Sequence, residues 1–193
     1  LDVLSENGRA DVAYTLANQR AEPGWGHMLK EGATTLWETW KFSDDVFSHN
    51  HPMFGSVSEW FIKHLGGIQP DSEKPGFEHV YIRPVIPEGL QHVKAELRTL
   101  RGTVACEWSC KTAISGDGPA VSMTVAVPAN CSASVRLPKL GATTVVVEES
   151  GHMLWRDGAA RASIAGVASG TEDQDAVTLE IGSGKYHFLM KPE

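Results

Sequence analysis

The sequence predicts an α+β protein: a helical N-terminal part holding an irregular aromatic segment, followed by an antiparallel β-sandwich. Three observations carry this. Apolar residues recur at helical spacing before residue 70. Beyond it the period switches to two, as in sheets with one buried and one wet face. Turn residues then separate the alternating runs at short intervals, which is the pattern of a sandwich.

Taken in order, Leu1 to Glu6 reads as the end of a helix, broken at Asn7-Gly8. Residues 9–20 set Val12, Leu16 and Gln19 at helical spacing among small residues. Residues 52–65 put Phe54, Val57, Phe61 and Leu65 on one face, with Pro52 in the first turn and Gly66-Gly67 as the stop. Between these helices, residues 22–50 resist assignment to a regular element. That segment is aromatic and acidic rather than Gly/Ser-rich, so it is no flexible linker, and such segments are where sites tend to sit.

Residues 66–76 are turn-rich. Beyond them, Val80 and Ile82, then Val93, Ala95 and Leu97, then Val121, Met123, Val125 and Val127 alternate with polar or small residues. Val135 and Leu137, and Val177, Leu179 and Ile181, do the same. Gly182-Ser183-Gly184 carries a hairpin signal before Lys185-Tyr186-His187-Phe188. The resulting division is residues 1–68, a link at 69–76 and a sheet domain over 77–193.

Bulk properties exclude several functions. A net charge of −7 without a basic run argues against nucleic acid as the partner. No apolar stretch reaches the roughly eighteen residues that a membrane helix needs. Cys106, Cys110 and Cys131 fall in phase with apolar strand positions and read as core-facing. Their odd number and spacing suit no zinc site and leave room for one disulfide at most. No P-loop, dinucleotide fingerprint, Ser nucleophile elbow or Cys/His metal set is present. The chain opens on Leu1-Asp2-Val3-Leu4, without Met or signal, and reads as the interior of something longer.

Three features bear on chemistry. Glu38 lies between Trp37 and Trp40, an apolar setting that disfavours a charged carboxylate and suits a general base. The same residue also fits a solvated loop beside core tryptophans. His49 and His51, at i and i+2, face apart in an extended chain and make a poor metal pair. One of them can donate to a ligand hydroxyl while the other caps the helix that starts at Pro52; both also fit as structural polar residues. Four of the six tryptophans fall between residues 25 and 60. Their faces suit sugar rings or a helix core, and Trp60, at helical spacing, reads as core. Trp25, flanked by Gly24 and Gly26, has room for either role. Asp44 and Asp45 read as a solvated loop pair.

Gly24-Trp25-Gly26-His27-Met28-Leu29, then Gly32-Ala33-Thr34-Thr35-Leu36-Trp37-Glu38, then Asn50-His51 before Phe54-Gly55 and Glu59-Trp60 resemble the C-terminal part of bacterial and fungal α-L-rhamnosidases, glycoside hydrolase family 78. Pro75-Gly76-Phe77, Ile82-Arg83-Pro84, Val127-Pro128-Ala129-Asn130 and Glu180-Ile181-Gly182-Ser183-Gly184 are similar to that family's C-terminal β-domain. The likeness covers nearly the whole chain and is weakest over residues 140–172.

The resemblance implies the last helices and an active-site loop of an (α/α)6 barrel, followed by the sandwich. It implies hydrolysis of terminal α-L-rhamnosyl groups with inversion, on rhamnosylated glycosides or polysaccharides, and no cofactor or metal. It implies Glu38 as the general base and His51 as a residue near the bound sugar. The family's general acid lies earlier in its barrel and has no match here, so an upstream portion of the same enzyme is the expected partner. Two other readings stay open: a non-catalytic carbohydrate-binding β-sandwich with a helical appendage, and another (α/α)6 glycosidase or lyase.

Overall fold

The computed structural model describes residues 1–42, 47–111 and 119–193. Asp44 and Asp45 fall outside the described residues. The chain divides into two compact units, Leu1–Phe61 and Ile62–Glu193.

The first unit holds α1 (Asp2–Glu6), α2 (Ala10–Ala17), α3 (Trp25–Lys30), a 3-10 turn (Pro52–Phe54) and α4 (Ser56–Trp60). A π-helical turn, Phe61–Leu65, follows α4. The break at Asn7-Gly8 stands, with Gly8 at φ +74°. In α2 the buried stripe is Ala10, Ala13 and Ala17, whereas Leu16 is exposed and Val12 half-buried. The small residues around the apolar spacing are therefore the packing face, because they let neighbouring backbone approach. The 52–65 run is helical as expected but changes pitch twice. Val57 and Leu65 are buried, Phe54 is half-buried and Phe61 is 42% exposed. Trp60 is a core residue, 1% exposed, and its indole N–H donates to Ser5 Oγ at 2.9 Å.

The second unit consists of two sheets. Its strands are β1 (Ile68–Pro70), β2 (His79–Ile82), β3 (His92–Thr99), β4 (Gly102–Lys111), β5 (Ala120–Val127), β6 (Ser132–Pro138), β7 (Val145–Glu149), β8 (His152–Arg156), β9 (Ala159–Ala160), β10 (Val167–Glu172), β11 (Ala176–Ile181) and β12 (Gly184–Pro192). One sheet runs β1-β2-β6-β11-β10 and the other β3-β4-β5-β12-β7-β8-β9. Both feed one core that includes Val80, Trp108, Val125, Leu137, Leu179 and Phe188. Trp108 is fully buried, and its indole N–H donates to the Leu65 carbonyl at 2.7 Å.

Two expectations need correction, and one strand pair departs from the otherwise antiparallel pattern. The turn-rich stretch 66–76 contains a strand, since Ile68–Pro70 pairs with β2. Gly182-Ser183-Gly184 is not a hairpin: β11 pairs with β10 and β6, while β12 pairs with β5 and β7. The glycines instead let the chain cross between sheets. The Tyr186 hydroxyl lies 3.3 Å from the Gly166 carbonyl and 3.2 Å from that of Gly182, tying down the corner. A Cβ on Gly166 would sit 2.2 Å from that hydroxyl, so only glycine fits there. Finally, β2 and β6 pair in parallel, because the chain builds β3 to β5 of the other sheet before returning beside β2.

The three cysteines are free, with Cys106 and Cys131 buried and Cys110 half-buried. Burial pushes the Cys106 thiol up to about 12, so it behaves as a small hydrophobe. A buried pair joins Lys139 Nζ to Glu172 Oε1 at 2.7 Å. Burial pushes the Glu172 carboxyl up, but Lys139 and the Trp155 indole N–H outweigh it and hold the group below the usual range.

Candidate functional site

The aromatic segment is less irregular than its sequence suggests. It contains α3, which ends in a Schellman motif: Gly32, at φ +86°, donates to the Leu29 carbonyl, and Ala33 donates to that of Met28. The glycine of Gly32-Ala33-Thr34-Thr35 is thus a helix stop that launches an extended run toward Glu38. Gly24 and Gly26 allow the close approach expected of them, since a Cβ on either would lie 2.7 or 2.6 Å from the Gln19 carbonyl oxygen.

Residues 35–38 run antiparallel to residues 48–51. The His51 N–H donates to the Leu36 carbonyl at 2.8 Å, and the Glu38 N–H donates to that of Ser48 at 2.9 Å. The Thr35 hydroxyl adds a bond to the His49 carbonyl. This brings the segment carrying Glu38 beside the segment carrying His51, although thirteen positions separate them. Glu38 is half-buried. Its Oε2 accepts the Ser48 N–H at 2.9 Å.

The two histidines have different surroundings. His51 is itself the helix cap, its Nδ1 accepting the Met53 N–H at 3.1 Å. With Nδ1 an acceptor, the neutral ring carries its proton on Nε2, which remains available as a donor. His49 packs against Trp37 and Phe42, with ring centroids 5.4 and 4.7 Å away.

Trp25, Trp40 and Phe54 form one cluster. Trp40 stacks on Phe54 at 3.8 Å, and Trp25 meets Trp40 edge-on at 5.0 Å. The Trp25 indole N–H donates to the Phe54 carbonyl at 3.1 Å. These rings therefore tie α3, the Glu38 segment and the 3-10 turn after His51 to one another. A groove of ≈ 1170 Å³ opens in the same unit, with Ala17, Trp25, Leu29, Leu36, Val57 and Phe61 in its lining. Neither Glu38 nor His51 lines it. Its apolar lining, with Leu29 72% and Phe61 42% exposed, suits packing against protein rather than polar chemistry.

The sheet unit holds a constellation that the sequence gives little sign of. His79 Nδ1 lies 3.1 Å from Asp71 Oδ2, and its Nε2 lies 3.1 Å from Ser134 Oγ. This has the residue types of a hydrolytic triad but not its wiring. The Ser134 hydroxyl gives its proton to Glu180, at 2.7 and 2.8 Å from the two carboxylate oxygens. Nε2 is then not the base that would activate it. The group ties β2, β6 and β11 together on the outer face of the five-stranded sheet. Asp71 is held below the usual carboxylate range by the Glu73 N–H first, against the opposing effect of burial, with His79 adding to it. Among the described residues no cluster of three or more His, Cys, Asp or Glu could hold a metal. No helix among them is long and apolar enough to cross a membrane.

Residues 1–65 match the family described as bacterial alpha-L-rhamnosidase 6 hairpin glycosidase domain, and residues 67–152 match the bacterial alpha-L-rhamnosidase C-terminal domain. The chain belongs to the bacterial α-L-rhamnosidase family. An α-L-rhamnosidase of Streptomyces avermitilis is 29% identical across 98% of this chain, and one of Alteromonas sp. (strain LOR) is 33% identical across 68% of it. The solved α-L-rhamnosidase of Dictyoglumus thermophilum superposes with a TM-score of 0.81 at 34% identity over 98% of the chain. The Streptomyces avermitilis enzyme, solved in complex with L-rhamnose, gives 0.73 at 31% over 98%. The chain spans only 14–20% of the length of these relatives. Its two matched domains carry the change from helix to sheet that the sequence shows near residue 70.

Proposed function

We propose that this chain is the base-bearing portion of an inverting α-L-rhamnosidase, with Glu38 as general base and His51 as a donor to the bound sugar. The observation that carries the reading is the pairing of residues 35–38 with 48–51, which sets the carboxylate and the imidazole of the two family motifs on adjacent segments. In an inverting hydrolysis one carboxylate deprotonates a water on the face opposite the leaving group, while a carboxylic acid protonates the leaving oxygen. The two stand about 6.5–9.5 Å apart to admit that water. Glu38, fixed through one oxygen and half-buried, suits the first duty. The general acid belongs to an upstream part of the same enzyme. A barrel of six helical hairpins needs twelve helices, and the described residues of the first unit hold four short ones. The apolar groove is then the seat of further helices of that barrel.

The reading as a carbohydrate-binding sandwich has less support. Such a module stacks sugars on open aromatic faces. In the described sheet unit Trp108, Trp155, Tyr186 and Phe188 are buried. The Arg83 guanidinium covers the Tyr81 ring at 3.6 Å.

The stereochemistry tests the mechanism. Proton NMR of the complete enzyme acting on an aryl α-L-rhamnoside should show β-L-rhamnose first, with the α anomer appearing only through mutarotation. Prompt formation of the α anomer would mean retention and would remove the general-base role.

A further inference from the structure

Glu38 has two carboxylate oxygens in different circumstances. Oε2 accepts the main-chain N–H of Ser48 at 2.9 Å. Oε1 takes no hydrogen bond among the described residues. The bond to Oε2 is one half of a reciprocal pair, because the Glu38 N–H donates back to the Ser48 carbonyl, also at 2.9 Å. Ser48 is itself held: its Oγ accepts the Asn50 N–H at 3.1 Å, which shapes the turn leading to His51.

We propose that Ser48 is a positioning residue: its main-chain N–H clamps Oε2 of Glu38, which makes Oε1 the atom that takes the water's proton. The inference rests on the general-base reading of Glu38. In the reaction the water oxygen bonds to the anomeric carbon, and its proton goes to Oε1. The bond from that carbon to the leaving oxygen breaks with its electron pair, and the upstream carboxylic acid protonates that oxygen. A carboxylate pinned at one oxygen cannot rotate the other away from the water, so the base stays aligned without reorganising. Because the donor belongs to the main chain, the identity of the side chain at position 48 matters less than its ability to donate. Proline, which has no N–H, is the informative exception.

The test compares Ser48→Pro, Ser48→Ala and Glu38→Gln in the complete enzyme on an aryl α-L-rhamnoside. Ser48→Pro should lower kcat by about 10- to 100-fold, the scale of an ångström-sized misplacement. KM and the inhibition constant of free rhamnose should stay within about two-fold, because the base does not bind the sugar. Ser48→Ala, which keeps the N–H, should lose at least about ten-fold less than Ser48→Pro. If the proline variant does not fold, the main-chain ester at position 48 removes only the N–H and is read in the same way. Equal losses in the alanine and proline variants, kcat within about two-fold of wild type in the proline or ester form, or a parallel loss of rhamnose affinity would overturn the clamp. Glu38→Gln separates the two ideas. If it keeps full kcat, the base assignment is wrong; if it is inactive while the N–H-deficient form is not, only the clamp is wrong.

Discussion

On the proposed function His51 has two jobs for one ring, and the two nitrogens divide them. Nδ1 accepts the Met53 N–H and so starts the 3-10 turn at Pro52. Nε2, without a hydrogen-bond partner among the described residues, is the donor that the proposal gives to a sugar hydroxyl. The jobs are separable by substitution, because asparagine caps a helix start well but does not extend as far as Nε2. His51→Asn should therefore keep the melting temperature yet weaken inhibition by rhamnose by about 1–3 kcal/mol, roughly 5- to 150-fold. His51→Ala should lose both, with the cap worth about 0.5–2 kcal/mol. An unchanged rhamnose inhibition constant in the asparagine variant would reduce His51 to a cap. At this scale the sequence points to residues through side-chain identity: Glu38 and His51 both stand out in their motifs. It is mute about Ser48, whose contribution is a main-chain N–H that nearly every residue possesses. The tryptophans beside Glu38 are legible too, but their partners are not. Trp25 meets Trp40 edge-on and Trp40 stacks on Phe54, contacts between positions well apart in the chain.

Elements were readable when their pattern was regular. β5 buries every second residue along its length, and its alternation shows in the sequence. β7 buries Val145, Val146 and Val147 in succession, and the pairing of β7 with β8 shifts register after Val147. That irregularity removes the period on which a strand assignment depends. β10 is an edge strand with a register shift near Ser169, and its Gly170 lies against the Trp155 ring, so small residues replace the apolar ones expected. The turn between β10 and β11 is held electrostatically. Arg136 in β6 reaches Asp173 at 2.7 Å. Its guanidinium first, and the N–H groups of Asp175 and Ala176 after it, lower the carboxyl from 3.8 to about 2. A group depressed on folding contributes stability that is present above its unfolded value and lost as pH falls through the folded one. The urea midpoint should thus decline between pH 3.8 and about 2 as Asp173 protonates. Arg136→Met should lower the midpoint at neutral pH by an amount that shrinks as pH falls toward about 2 and vanishes below it. A stability difference that is the same at both ends of that range would show that the pair does not act through charge.

At the level of the molecule, the change of period near residue 70 was enough to separate a helical part from a sheet part, and the ordered motifs were enough to reach the family. The topology was not legible. Nothing in the alternation of β2 and β6 says that they pair in parallel, because partner choice is settled by long-range packing. Nor does a glycine-rich turn reveal whether the chain doubles back or crosses to the other sheet, as it does after β11. On the proposed function the groove in the first unit seats further helices of the barrel, the part of the enzyme that would also bring the acid. The central claim is that this chain gives the larger enzyme its general base. The most direct measurement is the turnover of an aryl α-L-rhamnoside by the complete enzyme and by its Glu38→Gln form, with melting followed in parallel. The account predicts a fall in kcat of about 10²- to 10⁴-fold with melting unchanged, because an amide cannot accept the water's proton. Near wild-type turnover by the folded variant would contradict it.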